Sequence, residues 1–172
     1  MKRFVVLMSL VAVIGLVATS ALAQSFTATL NGSQEVPANG SPGIGAMTGT
    51  LSGGPGAWTF IYSGSFSGLT APVNAQPSGG HIHNAPVGIN GGVVHPLVNL
   101  DTGVTAGNFS GTWNTASGLT DTLVGEMLAG RLYVNIHTSA FSGGEIRGQI
   151  VPEPASIGLL LAGSTLMLRR RR

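Results

Sequence analysis

Two histidines flank a single isoleucine in GGHIHNAPVG, residues 79–88, and a third stands in RLYVNIHT, residues 131–138. Imidazole is suited at neutral pH to carrying protons and to binding copper, zinc or nickel. On an extended chain alternate side chains share a face. With Ile82 turned to a core, His81 and His83 therefore stand together on the opposite face, about 6.5 to 7 Å apart. The same alternation turns Leu132, Val134 and Ile136 inward and puts Tyr133, Asn135 and His137 on the other side. In GEIRGQI it turns Ile146 and Ile150 inward and leaves Glu145, Arg147 and Gln149 facing away. Two groups follow: a candidate metal set of His81, His83 and His137, and a surface polar cluster of Tyr133, Asn135, Glu145 and Arg147. Copper and zinc are the metals such a set would take. The alternative is that the histidines hydrogen-bond neighbouring strands and Glu145, with no metal. Spacing alone does not decide whether the HIH strand lies beside the other two.

Other chemistries fare worse. The chain has no cysteine, which excludes thiolate metal sites, thiol nucleophiles and disulfides. Serines are plentiful but none sits in a GxSxG elbow. The carboxylates are scattered, so no acid/base pair can be argued. Glu145 and Arg147 read as a strand-surface ion pair worth at most about 1 kcal/mol. Trp58, Trp113 and Tyr133 sit at strand spacing, which suits a core better than a sugar-stacking platform. No catalytic residue is assigned, and no enzymatic activity is expected.

The elements that must carry these groups are short strands. Apolar alternation marks FTATLN, AWTFIYSG, FSGTW, RLYVNIHT and GEIRGQI, and 24 of the 127 residues from Gln24 to Ile150 are glycine. That is well above the usual level of about 7 per cent. The pattern predicts an all-β fold, a Greek-key-like sandwich or barrel of short antiparallel strands. RLYVNIHTSAFSGGEIRG reads as a hairpin with a loop of about six residues around Ser142 to Gly144. One short helix is predicted near 120–129. Thr120 is its N-cap, Asp121 lies in its first turn, and Leu123, Val124, Met127 and Leu128 form its apolar stripe. Gly130 stands just past its end.

The two ends read as addresses. Lys2 and Arg3 precede an apolar run from Phe4 to Val17, and Ala21 and Ala23 put small side chains at the −3 and −1 positions of a cleavage site. This is the pattern of a secretory signal peptide over 1–23, removed between Ala23 and Gln24 by signal peptidase. At the other end an apolar segment, Ala155 to Leu168, would make a helix of about 21 Å, short for a bilayer core of about 30 Å. Arg169, Arg170, Arg171 and Arg172 follow as a cluster on the cytoplasmic side of the membrane. Pro152, Glu153 and Pro154 stand directly before it. The three parts together resemble a PEP-CTERM sorting signal over 152–172. That resemblance implies a Gram-negative bacterium that makes exopolysaccharide, and a transient inner-membrane association through the tail. It also implies an exosortase that removes the tail and delivers the protein to the cell surface or extracellular matrix. Between the two ends, Arg131 and Arg147 face five carboxylates (Glu35, Asp101, Asp121, Glu126 and Glu145), a net charge of −3 with neutral histidines. No basic patch is left for nucleic acid.

The middle of the chain, 24–151, resembles the CHRD domain, named after chordin. LNGSQEVPANGSPGIGAMTGTL, GGHIHNAPVGINGGVV and LAGRLYVNIHTSAFSGGEIRGQI carry the resemblance. It implies an extracellular β domain, and with the sorting tail a non-enzymatic module for binding, adhesion or matrix structure. Its partners would be extracellular polysaccharide or surface proteins. LTAPVNAQPSGGHIHNAPVG is similar to the His-x-His strand of Cu/Zn superoxide dismutase, a β-sandwich protein. That similarity implies His81 and His83 as copper-type ligands and His137 as a third. The chain departs from the dismutase pattern in having no disulfide pair and no further histidine–aspartate cluster for a zinc site. His95 is the one histidine left over, so dismutation is not expected. No other cofactor is implied.

Overall fold

A computed structural model describes residues 23–154. The apolar segments at both ends, with Ala21 and the arginine cluster, lie outside the described residues. The strands are β1 (Gln24–Asn31), β2 (Ile44–Gly54), β3 (Ala57–Ser67), β4 (Gly80–Asn84), β5 (Gly92–Pro96), β6 (Asn99–Leu100), β7 (Gly107–Asn114), β8 (Leu132–Ile136), β9 (Ile146–Gln149) and β10 (Val151–Pro152), with one helix, α1 (Asp121–Leu128), between β7 and β8. All pair antiparallel in one sheet of order β5-β4-β8-β9-β1-β2-β3-β7-β6, and β10 prolongs β9 along β1. The edge strands β5 and β6 are separated in sequence by only Leu97 and Val98. Two residues cannot bridge a flat sheet this wide, so the ends must come round towards each other. The result is a curled half-barrel. The all-β expectation holds, with the barrel-like form realised. The connections 68–79 and 115–131 join strands that are not neighbours, as in Greek-key folds.

The interior explains many of the strand glycines. Across β1, β2, β3 and β7 the register puts Phe26, Gly49, Tyr62 and Gly111 in one row, and Ala28, Met47, Gly64 and Phe109 in the next. Large rings therefore face glycines on adjacent strands. A Cβ on Gly49 would run into the Phe60 ring, one on Gly64 into Phe109, and one on Gly111 into Tyr62. A small curled sheet has room for large side chains only where neighbours give way. Phe26 meets Phe60 edge-on with ring centroids 5.7 Å apart, and Phe60 stacks on Tyr62 at 5.8 Å. Each buried ring contributes roughly 1.5–3 kcal/mol by leaving water. One apolar core joins these rings to Leu132, Val134, Ile136, Ile146 and Ile150, so among the described residues 24–154 make one folding unit.

The helix forms where its signals place it. The Thr120 side chain accepts the Leu123 N–H at 3.2 Å, and Gly130 takes φ +68° just beyond the end. The Asp121 carboxylate accepts the Trp58 indole N–H and the Gly56 N–H, which ties the helix start to the β2–β3 turn. Val124 and Met127 are buried and Leu123 is partly so, but Leu128 is exposed. The apolar stripe is narrower than expected, with Leu128 turned to solvent at the helix end. The β8–β9 hairpin also differs. Its connection runs from His137 to Glu145, and Thr138 forms an isolated bridge with Val73.

Candidate metal centre

Strand order answers what spacing left open. β4 lies directly beside β8, with His81 opposite Asn135, Ile82 opposite Val134 and His83 opposite Tyr133. β9 lies on the other side of β8, with Arg147 opposite Asn135 and Gln149 opposite Tyr133. The polar faces of three strands thus form one layer. His137 follows β8 by a single residue and turns its ring towards β4. His81, His83 and His137 each offer a nitrogen, and these three atoms lie within 4.8 Å of one another.

Each ring is held by a backbone carbonyl. His83 Nδ1 lies 2.9 Å from Gly91 O, His137 Nδ1 lies 3.1 Å from Ser142 O, and His81 Nε2 contacts Pro77 O. A carbonyl only accepts, so the nitrogen facing it must carry the hydrogen. For a neutral ring the other nitrogen then bears a lone pair. Those lone pairs are on His81 Nδ1, His83 Nε2 and His137 Nε2, on three rings whose centroids lie 5.2 to 6.1 Å apart. His81 Nδ1 and His137 Nε2 are 3.3 Å apart. His83 Nε2 is buried with no hydrogen-bond partner. Two nitrogens bound to one tetrahedral zinc at 2.0–2.1 Å would stand about 3.3 Å apart, so this pair is already at a chelating separation. Backbone carbonyls that fix the tautomer of metal-binding histidines are the usual outer shell of such sites. Protonation is the competing use of the lone pairs, and burial works against it. Burial holds the His83 pKa below the ordinary value, and holds that of His137 down to about 4.

The layer around the histidines corrects one expectation. Arg147 lies over Tyr133 and opposite Asn135, while the Glu145 carboxylate sits apart with Ser41, Thr70 and Thr138, and none of the four is on the surface: none is more than 3 % exposed. Loops 32–43, 85–91 and 137–145 cover the polar face that alternation alone would assign to water. Nor do Glu145 and Arg147 pair with each other. Glu145 accepts Ser41 Oγ, Thr138 Oγ1 and the Thr70 N–H. Burial opposes its charge, but those hydrogen bonds outweigh it and hold the carboxyl below the usual range. Arg147 donates to Ile89 O at 2.9 Å, Pro86 O at 3.4 Å and Asn90 Oδ1 at 3.3 Å, and lies over the Tyr133 ring 3.5 Å from its centroid. The opposite neighbour of Tyr133 is His83, stacked at 4.9 Å with the ring planes within 10°.

Two further groups were not singled out from sequence. Glu35 is buried, and its Oε1, like Asn135 Oδ1, has no hydrogen-bond partner. Both oxygens abut Gly144, whose φ of +133° and lack of a side chain leave them room. Burial raises the Glu35 pKa to about 7, against the opposing pull of the Arg147 charge, the Val36 N–H and the Asn135 side chain. His95 pairs with Ile82 through a bulge in the β4–β5 ladder, so it shares the inward face with Ile82. It stacks on Trp113 inside the half-barrel and takes no part in the histidine cluster. Trp113 and Tyr133 are buried and Trp58 is partly so, which leaves none of the three as an open stacking platform.

The CHRD domain profile matches residues 26–150. The chain belongs to the CHRD family. The match runs from within β1 past the end of β9, leaving out only β10 and the first two residues of β1, and includes all four histidines. No curated protein and no solved structure matches the chain. In this CHRD domain two of the three clustered histidines come from β4 and the third from the connection that follows the adjacent strand β8. They have nitrogen donors only, with no carboxylate or thiolate among them. Three neutral imidazoles suit copper or zinc and leave a coordination position for water or an exogenous ligand.

Proposed function

We propose that this CHRD domain is an exported, non-enzymatic module of the cell surface or polysaccharide matrix, and that it holds one copper or zinc ion on His81, His83 and His137. The observation that carries the reading is the grouping of three imidazoles, a nitrogen of each within 4.8 Å of the others, whose rings turn their other nitrogens to Pro77 O, Gly91 O and Ser142 O. Two bare nitrogens at 3.3 Å repel unless a proton or a metal lies between them, and burial of His137 disfavours the proton. Export is supported by the signal-peptide pattern and the Pro-Glu-Pro tail. In this account signal peptidase and an exosortase act on the two ends. The test is titration of Cu(II) and Zn(II) into the full chain and into His81→Ala, His83→Ala and His137→Ala. Sub-micromolar binding that each substitution weakens by at least tenfold supports it, and equal binding by all four proteins contradicts it.

A second reading is favoured by the outer face of β1, β2, β3 and β7. Thr27, Thr48, Ser63 and Ser110 lie in one row across it, with no charged side chain among them. Clefts of about 580, 700 and 670 Å³ share lining residues along this face. Such a hydroxyl-rich surface suits contact with neutral polysaccharide. Retention on a neutral glycan gel, lost on Ser63→Arg, would establish it.

A further inference from the structure

We infer that Arg147 is the positioning residue of the metal centre, acting on His83 through Tyr133 and the loop 85–91. The inference rests on the metal-binding reading above and says how one ligand is held in place. His83, like the other two ligands, is held by a single loop carbonyl. Its Nδ1–H depends on Gly91 O, which belongs to the β4–β5 loop and not to a strand pairing partner. Gly91 in turn donates its N–H to Tyr133 Oη at 3.1 Å. Tyr133 thus contacts His83 twice, by stacking on its ring and by fixing the carbonyl that sets its tautomer. Arg147 closes the circuit. Its guanidinium packs on the Tyr133 ring and donates to Pro86 O, Ile89 O and Asn90 Oδ1, three points on the same loop.

This cation is almost wholly buried, yet it takes no carboxylate partner within salt-bridge distance among the described residues. Its donors are spent on loop acceptors. A planar fork with five donors can clamp several such acceptors at once, which the point charge of a lysine cannot. The loop it clamps exposes Val87 and Ile89 at its tip, so its own apolar residues do little to hold it down. Without Arg147 the loop keeps its bonds to Val36 O, Gln149 and Arg131 O but loses three others nearest Gly91 and the cation packed on Tyr133, so Gly91 O moves and the His83 ring is free to swap tautomer or turn away. His81 and His137 have their own carbonyl partners at Pro77 and Ser142, outside this circuit, and should be unaffected.

The test is a cycle of metal titrations on the full chain in mild detergent, using Zn(II) for affinity and Cu(II) for its electron paramagnetic resonance spectrum. Arg147→Met keeps the length and removes the donors. Outer-shell changes of this kind weaken metal binding by about 10- to 100-fold, and that loss is expected here. The copper spectrum should change from three coupled nitrogens to two. In a His83→Ala background the same substitution should have no further effect. Equal losses in both backgrounds would mean that Arg147 serves stability only and would overturn the inference. So would unchanged affinity in Arg147→Met. If Arg147→Met does not fold, Tyr133→Phe reports instead. It removes only the hydroxyl that holds Gly91, and a loss of several-fold is expected, whereas unchanged affinity overturns the inference. Failure of the unsubstituted chain to bind either metal sinks the underlying metal reading and this inference with it.

Discussion

His95 lies face to face with Trp113 across the seam of the half-barrel, with ring centroids 4.8 Å apart and planes within 14°. Its Nε2 is buried without a partner, and Tyr62 meets it edge-on. Burial lowers its pKa to about 4. The unfolded chain takes up this proton near pH 6.5, while the folded state resists it to about pH 4. Stability therefore falls as pH drops through that interval, by up to about 3 kcal/mol. His95→Phe keeps the stack and removes the titration. Its melting temperature should fall less than that of the natural protein between pH 7 and 4.5. Parallel pH profiles would contradict the placement of His95.

Glu35 should give the opposite slope. The folded state keeps its proton to about pH 7, whereas the unfolded chain releases it near 4.5. Stability then falls as pH rises between those values. Glu35→Gln removes the buried charge and supplies a donor for Asn135 Oδ1. It should stabilise the domain at pH 8 by about 1–3 kcal/mol and matter less at pH 5, measured by urea unfolding at both values.

These two groups also show where sequence reading stops. Period-two alternation identified the inward faces of β8 and β9 correctly, because Leu132, Val134, Ile136 and Ile146 have only one apolar side to offer. It also placed His81 and His83 on a common face. The hidden part was the covering of that face. Burial of Arg147 and Glu145 depends on loops 32–43 and 85–91 folding over it, and local alternation carries no information about a distant loop. His95 was missed for a related reason. In VVHPLVN it looks like any polar residue beside a proline, and only the bulge opposite Ile82 and His83 turns it inward. The meeting of β4 with β8 is a pairing 50 residues apart in sequence, set by the curl of the whole sheet.

The facing of glycine and ring predicts a packing cost. Gly64→Ala should push its Cβ into Phe109, with the Ala46 carbonyl close by on the neighbouring strand. Overpacking of this kind costs typically about 1–3 kcal/mol. Gly92→Ala, where nothing lies within 4 Å of the added carbon, is the control and should be near neutral. Thermal unfolding of both variants checks the difference.

The C-terminal boundary is likewise testable. Val151 and Pro152 pair with Thr27 and Phe26, and the Glu153 N–H donates to Ser25 O at 2.9 Å. Two residues of the Pro-Glu-Pro motif are therefore attached to β1. A domain ending at Ile150 should melt several degrees below one ending at Pro154, and hydrogen exchange at Ser25 to Thr27 should quicken. Identical melting would show that β10 adds nothing.

The central claim is that His81, His83 and His137 share one metal ion. Its most direct test is anomalous diffraction from crystals loaded with copper or zinc, recorded on either side of the metal absorption edge. One strong peak within bonding distance of His81 Nδ1, His83 Nε2 and His137 Nε2 is the predicted result. A density map with no peak there, or with the metal on His95 or at the surface instead, would contradict it.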